Sequence, residues 1–259
     1  MSKRTLELFS LSNKVAIITG GASGQGKVAA ELFAEQGAKV VVADIDLSGA
    51  ERVAEAIGGT AVRVDVAKEA DVEAMVDFAC ETFGGIDILF NNAGVGFSAS
   101  SRYTMASITE TPGEAWDAIL DINLKGLAMG CKHAIPKMVK RGGGAIINNA
   151  SINALAGVHG ADAYTAAKGG IVSLTRVLAA DWGAKNIRVN CICPGPVKTP
   201  MISALLKEAD FNAAMTQSVP MGRVSTAEEI AAVALFLATP AAGYINGAIL
   251  PVDGGWSAR

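Results

Sequence analysis

Residues 15–44, VAIITGGASGQGKVAAELFAEQGAKVVVAD, constrain the fold of this chain more than any other stretch. The apolar run at 15–18 has the length and composition of a strand. A glycine-rich turn follows at 19–26, containing Gly20, Ser23, Gly24, Gln25 and Gly26. A helical pattern then places Val28, Leu32 and Phe33 on one stripe, with Glu31, Glu35 and Gln36 turned away. Gly37 ends it, and a second apolar strand at 39–43 runs into Asp44. Glycines without Cβ atoms let backbone N–H groups approach a pyrophosphate, and the helix N-terminus behind them favours its negative charge. Asp44 stands where a carboxylate accepts hydrogen bonds from an adenosine ribose. A tight turn with no ligand is the plainer reading. The strand before, the helix after and the acidic residue at the expected distance weigh against it.

The same alternation continues. Ser48 can cap a helix to about Ile57, and Gly58-Gly59 ends it. Residues 61–66 read as a third strand bearing Asp65 and Val66. A carboxylate at Asp65 can accept from an adenine amino group, and a turn or N-cap Asp is an equal reading on spacing alone. A helix over 68–83 carries Val72, Met75, Val76 and Ala79 on one stripe. The fourth strand, 86–90, leads straight into Asn91, Asn92, Ala93 and Gly94. Small residues there let a ligand lie against the backbone, in the crevice at the carboxyl ends of the strands; the asparagines can equally tie loops together. Residues 95–111 are polar and aperiodic. A helix starting at Pro112 contains Asn123, a poor mid-helix residue.

The fifth strand, 145–149, ends at Ser151. A helix over 162–183 carries Tyr164 and Lys168 four residues apart, hence on one face. The sixth strand, 187–193, stops at Pro194-Gly195-Pro196. Residues 197–223 are irregular, with a short helical pattern at 202–207. Thr226 and Glu229 form a capping box for a helix over 227–238. The seventh strand, 248–252, belongs at an edge, because Pro251 has no N–H for the ladder. Residues 1–13 read as a loose arm. Strands alternating with helices predict an α/β fold, a doubly wound parallel seven-stranded sheet of the Rossmann type. The chain is expected to be one domain over 1–259, with a substrate loop at about 196–222.

Composition excludes several classes. A net charge of −3 with no basic cluster argues against nucleic acid and anionic membrane as partners. No apolar run reaches transmembrane length, and the N-terminal stretch lacks the apolar core of a signal peptide. Cys80, Cys131, Cys191 and Cys193 lack metal-ligand spacing, and Cys191 and Cys193 alternate with apolar residues in a strand-like run, so buried thiols, no metal and a cytoplasmic location are expected.

Ser151, Tyr164 and Lys168 suit proton transfer. A free tyrosine has a pKa of about 10 and is a poor base at neutral pH. A nearby ammonium, together with the positive ring of an oxidised nicotinamide, favours the phenolate. Ser151, at a strand's carboxyl end, can hold a substrate oxygen while Tyr164 takes the hydroxyl proton. By itself, a Tyr–Lys pair at this spacing is an ordinary surface pair; the glycine-rich turn upstream changes the reading.

Taken in order, TGGASGQG, Asp65, NNAG, Asn123, Ser151, YTAAK (164–168), PGPVKT (194–199) and VDGG (252–255) make the chain resemble the short-chain dehydrogenase/reductase family over nearly its whole length. The resemblance implies Tyr164 as general acid/base, with Lys168 lowering its pKa and binding the nicotinamide ribose. Ser151 would position the substrate oxygen, and Asn123 would hold a water relaying protons from Lys168. It also implies cofactor contacts from Gly20, Ser23, Gln25, Gly26, Asp65, Val66, Asn92, Val197 and Thr199. Asp44 accepts from ribose hydroxyls but repels a 2′-phosphate, so NAD is expected over NADP. Gln25 departs from the aliphatic residue usual in the family. The loop at 95–111 looks longer than usual, which would bring Phe97 or Tyr103 over the substrate.

The expected reaction is interconversion of a secondary alcohol and a ketone by hydride transfer, on a neutral substrate that is cyclic or hydrophobic. Its pocket is expected from Ile152, Leu155, Met201 and Leu205, with Asn153 and His159 as polar contacts. His159 reads more simply as a loop residue than as a catalyst. The resemblance further implies a homotetramer. A dinucleotide-binding regulator without turnover, and an epimerase or dehydratase on the same fold, are the alternatives.

Overall fold

The computed structural model describes residues 2–96, 103 and 105–258. Its sheet has seven strands: β1 (Val15–Thr19), β2 (Lys39–Asp44), β3 (Thr60–Arg63), β4 (Ile88–Asn91), β5 (Gly144–Asn149), β6 (Ile187–Pro194) and β7 (Ile249–Val252). They are all parallel, in the order β3-β2-β1-β4-β5-β6-β7. The order reverses between β1 and β4, which opens a crevice at the strands' carboxyl ends. Pro251 lies on edge strand β7, opposite Cys193 of β6, where its missing N–H costs no ladder bond.

Successive residues of each central strand serve opposite faces of the sheet. Ile17, Val41, Leu89 and Ile146 pack with Met75, Ile135 and Ile171, from α4 (Glu69–Phe83), α6 (Gly126–Arg141) and α7 (Asp162–Trp182). Ala16, Ile18, Val42, Phe90 and Ile147 pack with Phe33, Ile230 and Leu237, from α2 (Gly24–Glu35) and α9 (Ala227–Ala238). Burial on both faces explains why the strands read as continuous apolar runs rather than alternating ones.

Several local expectations are corrected. Residues 3–9 form a helix, α1, whose first turn is held by Ser2 Oγ accepting from Thr5 N–H. Helix α3 (Leu47–Ile57) is capped by Asp46, which accepts from the Gly49 N–H; Ser48 instead donates to Asp46. Strand β3 ends at Arg63, so Asp65 lies in the turn beyond it, its Oδ1 accepting from Ala67 N–H. The segment after β6 contains a full helix, α8 (Ala209–Ser218). The capping box at Thr226 and Glu229 is present, and Arg223 pairs with the same glutamate. Among the described residues, no helix is long and apolar enough to cross a membrane.

Candidate active site

A cavity of about 580 Å³ occupies the crevice at the strands' carboxyl ends. At one end it is lined by Gly20, Ser23, Gly24, Gln25, Asp44, Asp65 and Val66. In the middle come Asn92, Gly94 and Asn149. At the other end are Asn123, Ser151, Tyr164, Lys168, Val197 and Thr199. Gly26 does not line the cavity. A Cβ on it would collide with the carbonyl of Gly20 and lie 2.6 Å from Asn92 Nδ2. Its role is to let α2 pack directly on the turn.

Asn92 holds the turn from below, donating from Nδ2 to the carbonyls of Thr19 (3.0 Å) and Gly20 (3.3 Å). Asp44 accepts from the Ala22 and Asp46 N–H groups, each at 3.0 Å, which fixes its carboxylate at the end of β2. Gln25 is paired across the crevice: Asn149 Nδ2 donates to Gln25 Oε1 (2.8 Å) and to Asn92 Oδ1 (2.9 Å). Asn149 Oδ1 is left buried and without a partner among the described residues. This open acceptor and the backbone groups of the glycine-rich turn fit a polar ligand spanning the crevice.

At the other end, Lys168 is buried and donates from Nζ to the backbone carbonyl of Asn149 at 2.8 Å. Its Nζ stands 5.5 Å from the centroid of the Tyr164 ring. Burial pulls the lysine down from its ordinary 10.5 to about 8. Burial also pushes the Tyr164 phenol up to about 12, against the hydrogen bond from Ser151. In the protein alone, desolvation outweighs that hydrogen bond; the positive ring of an oxidised nicotinamide beside the phenol would act in the opposite direction.

Asn123 lies in a π-helical turn, Asp121–Lys125, that joins α5 (Gly113–Leu120) to α6. Its Nδ2 donates to the carbonyls of Val95 and Ile119, both at 3.0 Å, and its Oδ1 accepts from Val95 N–H. The side chain thus braces the segment beside Lys168. A Cβ on Gly94 would lie 2.7 Å from Asn123 Oδ1, so this glycine makes room for the amide.

Of the residues expected at the substrate, Ile152, Asn153 and Met201 line the end of the cavity near Tyr164, and Leu155, Leu205 and His159 do not line it. After the turn at Ile152–Ala154 the chain runs on the surface, leaving Leu155 and His159 exposed; Val158 lines the cavity instead. Sequence reading also missed Phe211 and Met215, one turn apart on α8, and Trp256. The four-residue spacing of the first two was the available signal. Tyr103 lines the cavity, whereas Phe97 lies outside the described residues. Among the described lining residues, only Asp44, Asp65 and Lys168 carry charge.

Fold and site together define an α/β enzyme with a nucleotide-sized crevice leading to a Ser–Tyr–Lys cluster. Comparison with known proteins agrees. Residues 20–257 match the family described as Enoyl-(Acyl carrier protein) reductase. The chain is 40% identical to cis-4-hydroxycyclohexanecarboxylate dehydrogenase of Sinomonas cyclohexanicum, covering 96% of this chain and 98% of that one. It is 38% identical to cyclohexanol dehydrogenase of Acinetobacter sp. (strain SE19), covering 96% of each. Among solved structures, 3-ketoacyl-(acyl-carrier-protein) reductase from Brucella melitensis, complexed with NADH, superposes with a TM-score of 0.88 at 38% identity, covering 96% of this chain and all of that one. The chain belongs to the short-chain dehydrogenase/reductase family and is an oxidoreductase.

Proposed function

We propose that the chain interconverts a neutral secondary alcohol and its ketone, using NAD(H) in preference to NADP(H). The observation that carries this reading is the cluster of Ser151, Tyr164 and Lys168 at one end of a crevice whose other end holds Asp44. When bound, a nicotinamide ring supplies the acceptor for the hydride leaving the alcohol carbon. Tyr164 as phenolate takes the hydroxyl proton, and Ser151 holds the same oxygen by hydrogen bond. Lys168 supplies positive charge beside the phenolate and binds ribose hydroxyls. Asn123 braces the Val95 segment, and we assign it the water that links Lys168 to solvent.

Asp44 supports NAD: its carboxylate accepts ribose hydroxyls, and no described cation lines the cavity beside it to take a 2′-phosphate. The substrate end supports a neutral, apolar molecule. An anionic substrate would bury its charge with Lys168 as the sole described cation, already committed at the reacting centre. The relative that oxidises cyclohexanol fits this better than the one named for a carboxylate. Exposed Val177 on α7 and Leu250 on β7 support assembly through those elements as a homotetramer, which light scattering tests.

The test is incubation with cyclohexanol and related neutral alcohols, with NAD⁺ or NADP⁺ at equal concentration, following reduced-cofactor absorbance. Faster turnover with NAD⁺ is expected. Faster turnover with NADP⁺, or activity confined to phosphorylated or coenzyme A-linked substrates, contradicts the reading.

A further inference from the structure

Three side-chain amides meet beside the glycine-rich turn, and their hydrogen bonds leave one orientation for each. Asn92 Nδ2 donates to the backbone carbonyls of Thr19 and Gly20, so Asn92 turns Oδ1 to its other neighbour. Asn149 meets that oxygen with Nδ2 at 2.9 Å, and the same Nδ2 reaches the Gln25 amide at 2.8 Å. Gln25 must therefore face Asn149 with Oε1. Its Nε2, a donor with two protons, is left without a partner among the described residues. Gln25 is partly buried and lines the cavity. The turn in which it stands lacks cations: among the described lining residues the one positive side chain is Lys168, at the opposite end. Ser23 gives α2 no side-chain cap, so the first N–H groups of that helix stay open. An anion resting on this turn meets neutral donors.

We propose that the Gln25 side chain binds the dinucleotide: its Nε2 donates to the phosphate on the nicotinamide side, and Asn149 holds the amide in that orientation. The inference rests on the crevice taking a dinucleotide, as in the function proposed above. The family resemblance implies a contact from this position, but the aliphatic residue usual there has no side-chain donor to give. A phosphate oxygen accepts and does not donate, so it matches an amide N–H. With the turn short of cations, a donor that needs no counter-charge adds directly to the hold of the α2 N–H groups on the phosphates. The choice of phosphate follows from where the amide stands. Gln25 reaches from the turn to Asn149, whose backbone carbonyl accepts from Lys168, so its amide lies between the Asp44 end and the lysine.

The test is fluorescence titration with NADH, with ADP and AMP measured by competition. ADP carries both phosphates of the dinucleotide without the nicotinamide riboside, and AMP only the phosphate next to adenosine. Gln25→Leu removes the donor. Gln25→Glu keeps an oxygen for Asn149 Nδ2 and puts a charged acceptor where the donor was. For Gln25→Leu the Kd for NADH and for ADP is expected to rise about tenfold, with AMP changed by no more than about twofold. Gln25→Glu should weaken NADH and ADP further still. A glutamine present only to satisfy Asn149 predicts the reverse order, with the glutamate variant close to wild type. Should the leucine variant not fold, the glutamate variant decides alone. A folded variant of either kind that binds NADH and ADP within about twofold of wild type overturns the inference, as does a Gln25→Leu loss confined to NADH or shared equally by AMP. A wild type that does not bind NADH removes the proposed function as well; wild-type binding with unchanged variants removes this inference alone.

Discussion

The ammonium of Lys168 and the backbone carbonyl of Asn149 lie 2.8 Å apart, so the lysine beside the proposed acid/base is held by the last residue of the strand that leads to Ser151. Asn149 also reaches the glycine-rich turn through Gln25. One residue therefore links that turn to the cluster of Ser151, Tyr164 and Lys168.

The buried lysine carries a signature in stability. Its folded pKa, about 8, is below its ordinary 10.5. Between those values the unfolded chain binds the extra proton, so Lys168 makes stability rise with pH across that window. The total is on the order of 3 kcal/mol. Urea unfolding at stepped pH should show the rise in wild type and its loss in Lys168→Met. Tyr164, pushed up to about 12 from 10, acts oppositely: its contribution is full below pH 10 and is lost above it. A wild-type curve as flat as the variant's over pH 8–10 would contradict the assignment.

Asp44→Ala should weaken NAD⁺ binding about tenfold, from the loss of charge-assisted bonds to ribose hydroxyls. It should also narrow the preference over NADP⁺. Fluorescence titration with both reduced cofactors measures the ratio, and an unchanged ratio would show that Asp44 does not read the ribose.

Gly94→Ala places a methyl group 2.7 Å from Asn123 Oδ1. Overpacking of this kind costs about 1–3 kcal/mol. Because the displaced residue braces the segment beside Lys168, kcat should fall about tenfold or more while the substrate KM changes little. Denaturant unfolding and steady-state kinetics check the two effects separately.

Much of this was legible in the sequence, for identifiable reasons. The βαβ turn depends on neighbours in the chain, as does the four-residue spacing of Tyr164 and Lys168, and local pattern reports both. Asparagine suits a helix interior poorly, and the π-helical turn is the local form the chain takes at Asn123. The pairing of Gln25 with Asn149 was not legible: 124 positions separate them, and only the packed sheet brings them together. Helix α8 was missed because its exposed, polar face outnumbers the two residues, Phe211 and Met215, that it turns to the cavity. His159 had the right chemistry for the pocket, but the chain beyond Ile152–Ala154 leaves it at the surface.

The central claim is that Tyr164 moves the substrate proton next to a bound nicotinamide dinucleotide. The most direct measurement is single-turnover oxidation of cyclohexanol with saturating NAD⁺, comparing wild type with Tyr164→Phe and following the reduced cofactor. The account predicts a loss of about 10²- to 10⁴-fold in the Phe variant, with the dissociation constant for the dinucleotide changed by no more than about threefold. A Tyr164→Phe enzyme that bound the dinucleotide and turned over within about threefold of wild type would contradict it.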